Sequence, residues 1–150
     1  MSQSAASSRP RQLTVAIVAA VAVLAVAALC SALAVASTSK RVVKEANSAS
    51  LGKTVLTANN GLTLYTLSAE KHGTFICKGS CLKDWHPLAV AKGVKPTGPV
   101  PLGTIKRPDN GLRQVTFGGR PLYTFDDDNK KGDANGEGFK DVGTWHAATP

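Results

Sequence analysis

The sequence predicts a mainly β protein: a small duplicated antiparallel β domain built from two hairpin-based repeats, preceded by one N-terminal transmembrane or signal helix. Three observations predict it. Residues 13–36 form an unbroken apolar run without a charge. Leu-Tyr-Thr and Trp-His each occur twice, 58 and 60 residues apart. Apolar and polar residues alternate on either side of turn dipeptides such as Asn60-Gly61 and Gly118-Gly119, and alternation about residues that tolerate positive φ is the mark of a hairpin.

The run LTVAIVAAVAVLAVAALCSALAVA has only Thr14 and Ser31 as polar residues. Its 24 residues exceed the roughly 20 that a helix needs to cross the hydrocarbon layer, and a helix satisfies every backbone amide internally where no water is at hand. Residues 1–12 are then a cytoplasmic N-terminus and 13–36 a retained anchor. The competing reading is a signal segment, because Arg9 and Arg11 precede the run and Ala34-Val35-Ala36 ends it with small residues before Ser37. The run is long for that role. Cys30 offers lipidation as a third route, but Leu29 stands where a small residue belongs, and a cysteine in an apolar helix behaves as a small hydrophobe. Arg9 and Arg11 nearly balance Lys40, Arg41 and Lys44 across the run, so charge leaves the orientation open. Cys77 and Cys81 suit an oxidising compartment and place the C-terminal part outside. The expected location is the cell membrane, single-pass with an extracytoplasmic C-terminal domain, or secretion after signal cleavage.

Behind the run the composition changes. All eight aromatic residues lie after residue 60 and every acid after residue 40. The formal charge of +8 falls to +6 once Arg9 and Arg11 are set aside, and the small cluster Lys40, Arg41, Lys44 favours proximity to anionic headgroups. The other cations are scattered without an aromatic-interleaved patch, which argues against nucleic acid as a partner. Residues 37–54 (STSKRVVKEANSASLGKT) show no sustained period and read as a linker.

Residues 55–150 are the expected extracytoplasmic duplicated domain, with repeat 1 at about 55–90, a connection at 91–103 and repeat 2 at about 104–150. In repeat 1, Val55 to Ala58 and Leu62 to Leu67 flank Asn60-Gly61; in repeat 2, Leu112 to Phe117 and Arg120 to Phe125 flank Gly118-Gly119. Asn110-Gly111 joins Ile105 to Leu112 in the same manner and suggests a meander. The connection holds Pro96, Pro99 and Pro101, which exclude an interior strand or helix. Leu62, Leu64, Val115, Phe117 and Leu122 are candidate core residues by alternation, with Trp85 and Trp145 closing the core from equivalent places. A domain this small buries about two thirds of its extended-chain surface, so a disulfide would help it.

At these residues the chain resembles the bacterial family called the secreted repeat of unknown function, described as predicted lipoproteins with a Tyr-x-aromatic-x-x-Asp motif. Tyr123, Phe125 and Asp128 match that motif in full. Tyr65 begins the first copy, which then departs from it with Leu67 for the aromatic and Glu70 at the acidic end. The resemblance extends over the Cys77-Lys78-Gly79-Ser80-Cys81 segment followed by Trp85 and over Gly132 to Gly136 followed by Trp145, in all about residues 52 to 150. It implies secretion or surface anchoring and a tandem repeat, and leaves the activity unknown. The poor lipidation site departs from the family and favours a transmembrane anchor, and His86 stands where the resemblance leads one to expect proline.

The candidate sites are few. Cys77 and Cys81 read first as a disulfide in an exported domain, or as redox-active or metal-binding thiols with His72 and His86. Their spacing is neither C-x-x-C nor C-x-x-C-H. Asp133, Asn135 and Glu137 echo the opening of a calcium loop, but Thr144 takes the place of its closing glutamate and Lys130 and Lys131 repel a cation, so the segment reads as a solvated loop. Tyr123 and Phe125 alternate onto one strand face, with Asp128 expected to satisfy a turn amide. Asp126 or Asp128 with His146 lacks a placed nucleophile, so no catalytic residue and no cofactor is assigned. The expected function is non-catalytic: a membrane-tethered or secreted domain that binds or scaffolds at the cell envelope, with an envelope protein or small ligand as partner. The alternative is an extracytoplasmic redox or metal-handling protein using Cys77, Cys81 and nearby histidines.

Overall fold

The computed structural model describes residues 37–150; the expected cytoplasmic stretch 1–12 and the transmembrane or signal segment 13–36 lie outside the described residues. Among the described residues no helix is long and apolar enough to cross a membrane. The fold is mainly β. Among the described residues the one α-helix, α1, is the single turn Cys81–Asp84.

The expected linker at 37–54 is instead structured, and this corrects the sequence reading. It carries β1 (Thr38–Arg41), β2 (Val43–Ser48) and the start of β3 (Lys53–Ala58). β2 and β3 pair antiparallel from Val43 opposite Ala58 to Ser48 opposite Lys53, around a turn closed by Gly52 at φ +62°. Only Val43 and Ser48 of β2 are buried, so its outer face is polar and its alternation is diluted below recognition. The connection at 91–103 needs a similar correction. It contains β7 (Val94–Thr97) and the start of β8 (Leu102–Lys106). β7 runs parallel to β1, with Pro96 opposite Lys40, in a two-stranded pair, a place where a missing N–H is tolerated.

The hairpins expected from the turn dipeptides are present. Thr57 bridges Thr63 around Asn60-Gly61. β9 (Arg113–Phe117) pairs with β10 (Arg120–Pro121) around Gly118 and Gly119, whose φ values of +56° and +75° only glycine adopts freely. β9 also pairs with β8 and with β6 (Ala89–Val90), which makes a four-stranded antiparallel sheet.

The second four-stranded sheet holds the recurring motifs. Its order is β12 (Trp145–Ala147), β4 (Tyr65–Leu67), β11 (Tyr123–Phe125), β5 (Trp85–Pro87), all antiparallel. Tyr65 lies opposite Tyr123 at its centre. Trp145 lies opposite Leu67, and Trp85 opposite Phe125. Each Leu-Tyr-Thr strand therefore takes as its outer neighbour the Trp-His strand from the other half of the chain. Backbone bonds outside the ladders come in matching pairs: Leu88 N–H to Leu122 O with Ala148 N–H to Leu64 O, Asp126 N–H to Asp84 O with Ser68 N–H to Thr144 O, and Val115 N–H to Leu88 O with Leu56 N–H to Ala148 O.

Successive residues of these strands enter different cores, as the period of two requires. Val55, Tyr65, Leu67, Trp85, Tyr123, Phe125 and Trp145 form an aromatic core with Cys77 and Ala147. Val43, Leu56, Leu64, Val115 and Leu122 belong to an aliphatic one. Of the candidate core residues, Leu64, Val115 and Leu122 are buried, whereas Leu62 and Phe117 are half-buried beside their turns. Trp85 and Trp145 are buried and stack on each other with centroids 3.7 Å apart and planes 8° from parallel.

Gly136 shows how tightly this core closes. A Cβ there would lie 2.7 Å from Cη2 of Trp85 and 3.0 Å from Cε1 of Tyr65, and Trp85 is backed by Trp145. Gly136→Ala is expected to destabilise by about 1–3 kcal/mol through overpacking. A melt monitored by circular dichroism checks this, and an unchanged midpoint would contradict the packing described.

Candidate functional site

The polar centre of the domain is built on the two tyrosines. Tyr65 and Tyr123 stand side by side on β4 and β11, both fully buried. A buried phenol needs an acceptor. The Tyr65 hydroxyl donates to Asp128 Oδ2 at 2.7 Å, and the Tyr123 hydroxyl donates to Glu70 Oε2 at 2.8 Å. Asp128 is five residues after Tyr123 and Glu70 five after Tyr65, so each tyrosine serves the carboxylate that follows the other. Both carboxylates also accept backbone amides: Cys77 N–H donates to Glu70 and Asn135 N–H to Asp128. Glu70 takes Ile76 N–H as well, and Tyr65 Oη accepts Gly136 N–H.

Asp128 accepts the amide of Asn135, seven residues on, and its bond to Tyr65 is not legible in the motif. Glu70 takes the place opposite Tyr123 that Asp128 takes opposite Tyr65, so each phenol meets a carboxylate acceptor. Phe125 shares the face of Tyr123, packing on Trp85 at 4.3 Å. Burial, more than the bonds to Tyr65 and Asn135 opposes it, holds the Asp128 carboxyl above its ordinary range.

Arg107 completes the centre and was not singled out by sequence. Its guanidinium is fully buried and donates to both Asp109 carboxylate oxygens at 3.0 Å, to Gln114 Oε1 at 2.7 Å, to Tyr123 Oη at 2.9 Å and to Cys77 O at 2.6 Å. Its carbon lies 4.7 Å from the Phe75 ring centroid. Desolvation raises Asp109, but the Arg107 bonds outweigh it and hold that carboxyl below its ordinary range. A lone arginine between Lys106 and Pro108 carries no pattern that distinguishes it from a surface cation.

Cys77 and Cys81 lie at disulfide distance, 1.96 Å between sulfurs. Cys77 is buried in the aromatic core, with its N–H on Glu70 and its carbonyl on Arg107. The histidines are placed elsewhere: His86 pairs with Asp126 at 3.2 Å, His146 pairs with Glu137 at 3.1 Å, and His72 occupies a left-handed position at φ +49° with its ring against Gly119. Among the described residues no three His, Cys, Asp or Glu side chains are grouped to hold a metal ion. Asp133, Asn135 and Glu137 are engaged separately. Asp133 accepts the amides of Asn129 and Lys130, Asn135 donates to Asp127 O, and Glu137 accepts Ala147 N–H. Trp145 Nε1 donates to Asp141 at 2.8 Å, whereas the buried Trp85 Nε1 has no partner among the described residues.

The tyrosines give this centre a pH signature. Burial first, and the hydrogen bonds to Asp128 and Glu70 with it, push both phenols well above the ordinary tyrosine range. A phenol with a raised folded pKa contributes stability that is fully present below the unfolded value, about 10, and is lost as pH rises through the folded one. These are the only two tyrosines in the chain. Tyrosinate absorbance is therefore expected to appear together with the loss of tertiary circular dichroism, above about pH 10. Ionisation of one phenol in the intact fold would contradict the buried network.

Residues 103–149 match the family model described as a secreted repeat of unknown function. No curated protein and no solved structure matches this chain. The matched segment runs from β8 past β12 and holds Tyr123, Phe125, Asp128, Trp145 and the buried Arg107. Over residues 103–149, about a third of its length, this chain is similar to the family described as a secreted repeat of unknown function.

Proposed function

We propose that this protein is a non-catalytic, membrane-tethered binding or scaffolding domain of the cell envelope, made of two copies of one repeat that exchange strands and hydrogen bonds. The observation that carries this reading is the engagement of the motif. Tyr65, Tyr123, Glu70 and Asp128 are buried and bonded to one another and to loop amides, which suits an architectural role and leaves the surface to meet a partner. The matching backbone bonds at corresponding positions support the duplication. The description of the matched family as secreted supports an extracytoplasmic domain, and the apolar run at 13–36 supports a tether in a single pass.

The test is topology in intact cells. With the full chain expressed, a membrane-impermeant amine reagent is expected to label lysines after residue 37 without lysis, and the protein is expected to stay in the membrane fraction through an alkaline wash. Labelling only after lysis would overturn the outward placement. Release by the wash, or recovery from the medium of a chain beginning at Ser37, would replace the tether with secretion.

A further inference from the structure

The cations that look scattered along the sequence are gathered by the fold. A surface cleft of about 420 Å³ is lined by Ser37, Lys92, Val94, Lys95, Leu102 and Arg113 among others. A neighbouring cleft of about 340 Å³ shares Lys92 and Arg113 and adds Lys106 and Leu112. Neither lining includes an acid. Among the described residues the ion pairs are those of His86, Arg107 and His146, so Lys92, Lys95, Lys106 and Arg113 are all without a counter-ion. Arg113 is positioned by a 2.8 Å bond to Thr104, and its buried Nε has no partner among the described residues. Leu112 projects beside them, 43 % exposed.

We propose that this face binds the phosphates of anionic phospholipid headgroups. The occupant follows from what reaches the cleft. Ser37, which follows the apolar run in sequence, is part of its wall, and β1 pairs with β7 from Thr38 opposite Val94 onward. A chain held in a bilayer by residues 13–36 brings Ser37 to headgroup depth, and the inference rests on that tether. At that depth unpaired lysine and arginine meet phosphate, and an exposed leucine beside them meets the glycerol and upper acyl region. Lys40 and Arg41, exposed on β1, extend the same charge. The pairing of β1 with β7 makes what reads as a flexible basic tail part of a rigid surface.

The experiment uses the full chain in vesicles of phosphatidylcholine with and without phosphatidylglycerol, followed by flotation and by amine acylation of each lysine read by mass spectrometry. With phosphatidylglycerol, Lys92, Lys95 and Lys106 are expected to react roughly fivefold more slowly, while the exposed Lys78, Lys83 and Lys140 keep their rates. High salt should remove the difference. In the exposed-site variant K92Q/K95Q the protection of Lys106 is expected to weaken. Flotation with both vesicle types but equal rates would overturn the headgroup site and leave the tether standing. Equal protection by inorganic phosphate over phosphatidylcholine vesicles would overturn the lipid in favour of a free anion. Failure to float with either vesicle would overturn the tether, and this inference with it.

Discussion

Arg107→Ala is expected to cost the domain about 3–5 kcal/mol, because breaking a buried charged network strands its partners. The guanidinium serves the Asp109 carboxylate, Gln114, Tyr123 and the Cys77 carbonyl at once, and alanine would leave all of them without their donor. Asp109 keeps some access to water, but the Cys77 carbonyl and Gln114 do not share that escape. For a domain of this size the melting midpoint should fall on the order of 15 °C. Arg107→Lys is expected to recover only part of the loss, since an ammonium lacks the planar fork that reaches separate acceptors. Chemical denaturation of the three proteins checks the order wild type, Lys, Ala. A near-neutral alanine variant would mean that the guanidinium is held in solvent.

The second large effect belongs to the tryptophans. Trp85→Ala and Trp145→Ala are each expected to destabilise by about 3–5 kcal/mol, the usual cost of emptying a buried aromatic site. Trp145 also loses its bond to Asp141. The two rings stack on each other, and Tyr65, Phe125 and Phe139 pack around Trp85 while Tyr123 packs on Trp145. The double variant should therefore cost clearly less than the sum of the two, because each single change already removes the shared stack. Additive effects in urea denaturation would contradict contact between the rings.

How far the sequence revealed this structure depended on where the signal lay. Hairpins were legible at Asn60-Gly61 and Gly118-Gly119 because turn chemistry and alternation are local. The burial of Trp85 and Trp145 followed from their size. β1 and β2 escape a reading by alternation because they bury little: Val42, Val43 and Ser48 are the buried residues among Ser37 to Ser48. β7 was missed because its proline counts against a strand, although in a two-stranded pair the missing donor costs nothing.

The site was harder to read for the same reason in reverse. Glu70 looks like drift when it is compared with Asp128 along the chain, yet in space it is the acceptor that Tyr123 requires. Arg107 owes its role to four partners separated from it by 2, 7, 16 and 30 residues, and no window along the chain displays such a set. The cationic face was hidden likewise, since Lys92, Lys95, Lys106 and Arg113 meet only once β7, β8 and β9 are assembled.

The exchange of partners between the two tyrosine strands is tested most directly by double-mutant cycles on the four buried residues, using Tyr→Phe and carboxylate→Ala changes and unfolding free energies. Hydrogen bonds to a charged acceptor contribute about 1.5–3 kcal/mol, so coupling of that order is expected for Tyr65 with Asp128 and for Tyr123 with Glu70. The pairs within one half of the chain, Tyr65 with Glu70 and Tyr123 with Asp128, should couple by no more than about 0.5 kcal/mol. Strong coupling within the halves and none between them would contradict the exchange.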